Sequence, residues 1–276
     1  MPEKVADRVP QNVNPFRLGL DDALDFRCDC KQDCFTNCCR DVSIVLTPYD
    51  VLRMKRALGI DSSTFLDKYT VLSCTRNKKL PVVLLKMNPE DKRCPFVTPQ
   101  GCSLYAHRPW ACRMYPLGKA EPERPNPSEH GFYFLLREDF CHGHGGGSLT
   151  VRNWLSEQGI DNFEMMGASF QRLMLNEFWR TEEPLPASKL AMYIMACFDL
   201  DRFRRFVFET RFLDLFEIHE ERVEALRTDD EELLEFAMEW LRFSLFGEKT
   251  MRLRKDAAEV ASRRRTRAED ATATGR

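Results

Sequence analysis

Ten of the eleven cysteines of this chain lie between residues 28 and 141, and nine of these ten form two groups. The first group contains Cys28, Cys30, Cys34, Cys38 and Cys39. The second contains Cys94, Cys102, Cys112 and, within the sequence Cys-His-Gly-His-Gly, Cys141. Thiolates that recur at short intervals can converge on one soft metal ion, because a short turn brings neighbouring sulfur atoms together. The pattern therefore predicts a metal site built from two segments.

A disulfide framework is the other explanation for so many cysteines, and the rest of the sequence argues against it. The chain has 276 residues, of which 43% are hydrophobic, so it can bury an apolar core without disulfide bonds. Residues 1–16 lack the apolar run of a secretory signal, and no apolar stretch reaches the roughly 20 residues that span a bilayer. We therefore expect a cytoplasmic protein with reduced thiols and no membrane partner.

The charge distribution gives little reason to expect a nucleic-acid partner. The formal net charge is −2, and the cysteine-rich segment lacks the basic surface that zinc-finger proteins present to nucleic acids. Residues 250–276 are more basic and include Arg263, Arg264, Arg265 and Arg267. Such a segment could contact an acidic partner or RNA, but a solvated, disordered tail is the commoner case.

Changes in composition divide the chain into four parts. We expect an extended N-terminal arm over residues 1–25, a cysteine-cluster domain over residues 26–148, a helical domain over residues 149–249 and the basic tail. The helical domain contains one cysteine, Cys197, and apolar residues at helical spacing. These form stripes over residues 163–178, 203–216 and 233–241. The predicted fold class is α+β, with a small sheet and short helices in the cysteine-cluster domain.

Two helices can be predicted individually within the cysteine-cluster domain. Thr47 is a typical helix N-cap, Pro48 is typical of the first helical position, and Asp50 is an acid in the first turn. Gly59 is typical of the position that ends a helix. A second short helix is predicted over residues 61–70.

Strands and loops are predicted around the second cysteine group. Strands are expected over residues 42–46, 80–87 and 131–137, which are rich in β-branched or aromatic residues. The proline-rich residues 121–127 are predicted to form an exposed loop. The glycine-rich residues 143–147 lack the lysine of a phosphate-binding loop and are predicted to form a flexible hinge.

Eight cysteines are the candidate metal ligands. They are Cys30, Cys34, Cys38, Cys39, Cys94, Cys102, Cys112 and Cys141. Eight thiolates suit two four-thiolate sites, or one cluster with spare thiols. Cys28 is an alternative to Cys30 as the first ligand, whereas Cys74 and Cys197 are expected to be apolar core residues.

Two kinds of neighbouring side chain could complete the metal site. His142 and His144 follow the last candidate cysteine, and an imidazole ligand would suit zinc or a redox-tuned iron. Arg40, Arg108 and Arg113 adjoin candidate ligands, and their positive charges could offset the negative charge of the thiolates. Surface salt bridges are the alternative use of these arginines.

The flanking residues carry a resemblance to a known family. The matching parts are Leu46-Thr-x2-Asp50-x2-Arg53, Cys94-Pro-Phe, Gly101-Cys102-Ser-Leu-Tyr105, Arg108-Pro109 and Cys112-Arg113-x-Tyr115-Pro116. Together with the first cysteine group, over roughly residues 28–145, they resemble the YkgJ-like cysteine-cluster proteins. That family is also described as a zinc- or iron-chelating domain and is named for a CxxCxxCC pattern. In this chain each gap of that pattern is one residue longer, Cys30-x3-Cys34-x3-Cys38-Cys39.

The resemblance implies a metal centre held by both cysteine groups, either zinc or an iron–sulfur cluster of the 4Fe–4S type. One similar branch is the flagellin lysine methylases, thought to use an iron–sulfur centre with S-adenosylmethionine on a protein substrate. Two hypotheses follow: a metal-binding module, or an iron–sulfur-dependent enzyme that modifies a protein. The sequence offers no Ser/His/Asp or paired-carboxylate arrangement, so the enzymatic hypothesis depends on the metal and the resemblance.

Overall fold

The computed structural model describes residues 17–74, 81–121, 131–180 and 185–254. They belong to two compact units, Met1–Pro186 and Ala187–Arg276. Three predicted features lie wholly or mostly outside the described residues: the N-terminal arm as far as residue 16, the proline-rich loop from residue 122, and the basic tail from residue 255.

Short strands and short helices alternate in the first unit. In chain order its strands are β1 (Ala23–Phe26), β2 (Val45–Leu46), β3 (Thr70–Cys74), β4 (Pro81–Leu85), β5 (Val97–Thr98), β6 (Gly101–Cys102), β7 (Leu117–Ala120), β8 (Phe132–Leu135) and β9 (His144–Thr150). Its helices are α1 (Pro48–Leu58), α2 (Ser62–Tyr69), α3 (Trp110–Met114), α4 (Val151–Glu157) and α5 (Ile160–Met174). The described strands pair into four small antiparallel sheets, β1–β9, β2–β4–β3, β5–β6 and β7–β8.

The three predicted strands are confirmed, and each is shorter than expected. They correspond to β2, β4 and β8. In β2 the ladder is limited to two pairs, Val45 with Leu84 and Leu46 with Val83. A strand ends where its partner stops offering backbone groups, so apolar composition alone overestimates its length.

Helix α1 begins and ends where the sequence predicts. The Thr47 hydroxyl accepts the N–H of Asp50 at 3.1 Å, and the Asp50 carboxylate accepts the N–H of Thr47 at 2.8 Å, which completes a capping box. Pro48 is the first helical residue, and Gly59 ends the helix in the left-handed conformation with φ of +64°. The second predicted helix, α2, is also confirmed, with Asp61 as its N-cap.

The prediction of a flexible hinge at residues 143–147 is wrong. Most of these residues form the start of β9, which pairs with β1. A side-chain carbon on Gly147 would lie 2.2 Å from the carbonyl oxygen of Phe26, and one on Gly143 would lie 2.5 Å from that of Arg27. The glycines are therefore needed because two backbone segments approach closely.

Two sets of buried side chains stabilise the first unit. One set surrounds β1 and β9 and comprises Leu24, Phe26, Met114, Leu117, Val151, Trp154, Leu155 and Ile160. The other is contributed by α1, α2, β2 and β4 and includes Leu46, Leu52, Met54, Phe65, Val83 and Leu85. Burying each large apolar side chain contributes about 1.5–3 kcal/mol to stability. These two sets therefore stabilise the elements that flank the cysteines.

Helices form the regular structure of the second unit. They are α6 (Ala187–Cys197), α7 (Leu200–Glu209), α8 (Phe212–Leu215), α9 (Glu220–Thr228) and α10 (Asp230–Phe246). The rings of Phe203, Phe206, Phe212, Phe236 and Trp240 form an aromatic core with centroid separations of 5.3–6.4 Å. Cys197 is 1% exposed on α6, which confirms its predicted place in the core.

The fold class predicted from the sequence, α+β, is confirmed. The first unit combines small sheets with short helices, and the described elements of the second unit are helices, with one isolated β-bridge between Phe216 and Leu253. Among the residues described, the helices are too short or too polar to cross a membrane.

Candidate metal centre

The first cysteine group lies on a loop of consecutive tight turns between β1 and β2. The N–H of Asn37 donates to the carbonyl of Cys34 at 2.9 Å, and the N–H of Cys39 donates to the carbonyl of Thr36 at 3.0 Å. Asn37–Cys39 forms a 3₁₀ turn, and Thr36 before it has φ of +69°. These turns fold three cysteines of the predicted set into a short segment with little regular structure.

The second cysteine group is held by three different elements. Cys94 precedes the β5–β6 hairpin, Cys102 ends β6, and Cys112 lies on α3. The N–H of Cys94 donates to the carbonyl of Cys39 at 2.8 Å. This backbone hydrogen bond joins the two cysteine groups, as the sequence predicted for segments that share one site.

Five thiols lie close enough to alter one another's acidity. We call them the inner thiol group: Cys38, Cys39, Cys94, Cys102 and Cys112. Burial raises the pKa of Cys112 well above its usual range, and the charge of Cys94 adds to this effect. Burial also raises the pKa of Cys94 and of Cys102. A cation bound among these sulfur atoms would remove the cost of their charge.

Cys38 lies at the centre of the inner thiol group. The thiol of Cys39 donates a hydrogen bond to Cys38, which lowers the pKa of Cys38 to about 7 and raises the pKa of Cys39. The charge of Cys38 in turn acts on Cys94, Cys102 and Cys112. The lowered pKa favours the thiolate of Cys38, which is the form that binds metals.

Strand pairing brings two further cysteines together. Strand β1 ends two residues before Cys28, and β9 begins three residues after Cys141. Beyond the ends of both strands, the N–H of Arg27 donates to the carbonyl of Gly143 at 2.9 Å. The β1–β9 sheet therefore delivers Cys28 and Cys141 to the same end of the strand pair.

Cys28, Cys34 and Cys141 form what we call the outer thiol group. Desolvation raises the pKa of Cys28 to about 11, and the charges of Cys38, Cys141 and Cys34 contribute to the rise. Cys28 and Cys30 are both exposed, and Cys30 is not among the main charges that act on Cys28. Both cysteines remain candidates for the first ligand, with Cys28 in closer electrostatic contact with other thiols.

The structure gives the two candidate histidines different surroundings. The N–H of His142 donates to the sulfur of Cys34 at 3.3 Å, and its ring Nδ1 lies 2.7 Å from an oxygen of Asp33. The ring of His144 instead packs on Phe26, with centroids 5.2 Å apart. Both ring nitrogens of His144 are buried without a hydrogen-bond partner among the described residues. His142 is thus the histidine at the outer thiol group.

The remaining cysteines are partly accounted for. Cys74 is the last residue of β3, where its backbone pairs with Pro81. The ten cysteines whose side chains are described are all free thiols.

Asp50 connects helix α1 to the helix that carries Cys112. Its carboxylate is fully buried and accepts the N–H of Trp110, the first residue of α3, at 2.8 Å. The same carboxylate caps α1 through Thr47. Burial raises the pKa of Asp50 to about 6, although these hydrogen bonds favour its ionised form. The sequence marked Asp50 as a helix-capping acid but gave no sign of its contact with Trp110.

Arg113 hydrogen-bonds to the backbone and not to thiols. It donates to the carbonyls of Arg108 at 3.0 Å, Ala106 at 2.7 Å and Gln158 at 2.6 Å. Its guanidinium also lies 4.5 Å from the ring centroid of Phe163. Arg113 therefore fixes the segment between Cys102 and Cys112 to the end of α4, a partnership that the sequence did not indicate because Gln158 lies 45 residues away.

The other two arginines differ from each other. Arg108 stacks on Tyr105 at 3.8 Å from the ring centroid and hydrogen-bonds to its carbonyl and to the side chain of Gln158. Its charge lowers the pKa of Cys102, although burial of that thiol outweighs the effect. The Nε of Arg40 donates to the carbonyl of Asp91 at 3.1 Å. Of the three, Arg108 has the clearest electrostatic effect on a thiol.

Together these contacts define a class of protein: an α+β module in which thiols from two distant segments gather around Cys38 on a braced framework. Thiolates are the donors that zinc and iron–sulfur clusters take from proteins, so the donor set fits either group. Residues 29–142 match the model of the CxxCxxCC family, described as a "putative zinc- or iron-chelating domain". The match covers less than half of the chain and confirms the resemblance predicted from its motifs. No curated protein and no solved structure matched the chain.

Proposed function

We propose that the protein is a metal-binding module whose cysteines hold zinc or an iron–sulfur cluster as an integral part of the first unit. The observation that carries this proposal is the gathering of five thiols from a loop, a hairpin and a helix around Cys38. Buried thiolates repel one another, so an arrangement of this kind is costly unless a cation compensates their charge.

The proposed ligands are the eight cysteines predicted from the sequence, with Cys28 as the alternative to Cys30. Residues 28–41 contain little regular structure. Two non-glycine residues among them, Thr36 and Asp41, have positive φ. Strain of this kind persists only where other interactions maintain it. Metal–thiolate bonds would supply such interactions, so metal binding and the folding of this loop should be coupled.

The test is metal analysis of the full chain purified without oxygen. Iron, zinc and acid-labile sulfide are measured per chain, and the visible absorption spectrum is recorded. A brown protein with sulfide supports an iron–sulfur cluster, whereas a colourless protein with stoichiometric zinc supports zinc. A protein that holds neither metal above trace amounts would refute the proposal.

Two further measurements extend this test. Removal of the metal by a chelator should lower the unfolding temperature, since a group that binds only the folded state stabilises it. Titration of the loaded protein with S-adenosylmethionine, followed by its absorption spectrum, tests the methylase-like alternative separately. A spectral change that saturates with S-adenosylmethionine would favour the enzyme over the binding module.

A further inference from the structure

Three potential ligand atoms from two distant segments meet at the outer thiol group. One ligand atom each from Asp33, Cys34 and His142 lies within 4.8 Å of the other two. His142 contacts this loop twice, through its backbone N–H to the sulfur of Cys34 at 3.3 Å and through its ring Nδ1 to Asp33 at 2.7 Å. The two segments are 108 residues apart in the chain, so the fold itself brings these groups together.

The chemistry of these three groups suits a divalent ion of borderline softness. A thiolate and an imidazole are the commonest ligands of zinc. A carboxylate hydrogen-bonded to one ring nitrogen is the usual arrangement behind a metal-binding histidine, because it fixes the ring and leaves the other nitrogen for the metal. The N–H donated to the sulfur of Cys34 would stabilise a thiolate there.

An exposed ion pair is the simpler explanation of the Asp33–His142 contact. Their side chains are 77% and 55% exposed, and surface pairs of this kind contribute little to stability. That explanation does not account for the sulfur of Cys34, which His142 contacts through a different group. It also does not account for the β1–β9 pairing, which leads into Cys28 and Cys141 on the same side.

Cys34 and His142, together with the two remaining thiols of the outer group, make four donors, and the carboxylate of Asp33 is left to orient the imidazole. Cys141 directly precedes His142, and Cys28 lies close enough to Cys34 and Cys141 for their charges to act on it. Three thiolates and one imidazole make a Cys3His set, one of the standard tetrahedral sets for zinc.

We infer that the chain has a second metal centre, in which Cys28, Cys34, Cys141 and His142 bind one zinc-type divalent ion and Asp33 orients the imidazole. This inference rests on the proposed function, because it divides the cysteines between two centres. The inner thiol group then serves the first centre. Of the two candidates Cys28 and Cys30, the ligand is Cys28. The imidazole nitrogen of His142 completes the four ligands of the second centre.

The division can be tested on the full chain with zinc as the probe. Metal-depleted, reduced protein is loaded with zinc, and bound zinc is counted after exposure to a competing chelator. We expect His142→Ala and Cys28→Ser each to hold one zinc ion fewer than the wild type. Asp33→Asn should hold the second ion with about 10–100-fold lower affinity. The matched control, replacement of the exposed His219 with alanine, should bind zinc as the wild type does.

The outcomes separate this inference from the proposed function. A wild-type chain that binds neither zinc nor iron refutes both. A wild-type chain that binds metal while His142→Ala and Cys28→Ser keep the full wild-type content refutes only the second centre. Loss of zinc from Cys30→Ser instead of Cys28→Ser also overturns the assignment.

A spectroscopic measurement makes the test independent of whether the variants fold. X-ray absorption at the zinc edge of the wild-type protein should require a nitrogen scatterer from imidazole beside the sulfur scatterers. In Asp33→Asn at saturating zinc the same nitrogen should remain. Coordination by sulfur alone in the wild type would overturn the inference.

Discussion

Replacing Arg113 with alanine should destabilise the first unit through the backbone carbonyls that its side chain satisfies. Arg113 is 8% exposed, and its guanidinium donates to three carbonyls, those of Ala106, Arg108 and Gln158. These carbonyls belong to the segment before α3 and to the end of α4. Truncation of the side chain would leave all three without this donor.

The size of the effect follows from the three lost hydrogen bonds. A buried group left without its partner costs about 1–3 kcal/mol. The low end applies here, because water can enter the vacated space and because burial of the guanidinium is itself unfavourable, as the lowered pKa of Arg113 indicates. Three losses at about 1 kcal/mol each give about 3 kcal/mol, or about a hundredfold change in the folding equilibrium. Arg113→Lys keeps the charge but loses the planar fork, so we expect a loss between that of alanine and zero.

The assay is urea denaturation of the metal-loaded protein, with zinc affinity measured in parallel by chelator competition. Both should fall in Arg113→Ala, because metal binding is linked to the folding of the unit that carries the ligands. Arg222→Ala is the matched control: this arginine pairs with Glu232 at 2.7 Å and Glu239 at 2.8 Å in the second unit, and all three side chains are about one-third exposed. Exposed pairs of this kind contribute about 1 kcal/mol or less. Wild-type stability and zinc affinity in Arg113→Ala would refute the reasoning.

Three further changes test other parts of the structure. Asp50→Ala removes the acceptor of the N–H of Trp110, so zinc binding should weaken about tenfold when measured by chelator competition. Asp61 is an exposed helix cap and serves as the control. Asp61→Ala should lower the free energy of unfolding in urea by about 1 kcal/mol and leave the zinc affinity unchanged. Because burial raises the pKa of Cys112 and of two neighbouring inner thiols, these thiols are protonated at neutral pH without metal. Zinc affinity should therefore rise with pH, and calorimetry in two buffers should record a net release of protons when zinc binds to the inner thiol group. An affinity independent of pH would contradict this. Cys197 is buried, so Cys197→Ala should lower the free energy of unfolding by about 1–2 kcal/mol through lost packing and leave the metal content unchanged. Loss of metal would show that Cys197 is not simply a core residue.

Elements with local determinants could be predicted from the sequence. The cap at Thr47, the proline after it and the glycine at position 59 act within a few residues, and α1 has the predicted bounds. The sequence did not predict strand β9, because glycines have two different explanations. They can make a segment flexible, or they can allow another backbone segment to approach closely. Gly147 serves the second, and the neighbour that requires it, Phe26, is distant in the sequence.

The candidate ligands could be recognised from spacing, but their division into inner and outer groups could not. Spacing alone groups Cys34 with Cys38 and Cys39, since they follow one another at similar intervals. In the structure Cys34 contacts the segment of His142, whereas Cys39 contacts that of Cys94. The direction of each side chain depends on turn angles such as the positive φ of Thr36. Threonine rarely adopts this conformation, so the sequence gives no reason to predict it.

The two cysteine groups also differ in how the chain supports them, and this difference bears on how a metal would act. Cys112 lies on a short helix whose start is held by buried Asp50 and whose Arg113 satisfies three carbonyls. The loop of Cys34 and Cys38 is held by tight turns and by hydrogen bonds from the segments of Cys94 and His142, and it contains two strained residues. Strain of about 1–3 kcal/mol per residue must be offset by other interactions. If the proposed ligands bind a metal, a preorganised second group and a loop that depends on the metal would form an asymmetric site, in which the binding energy would be used chiefly to order the first cysteine group.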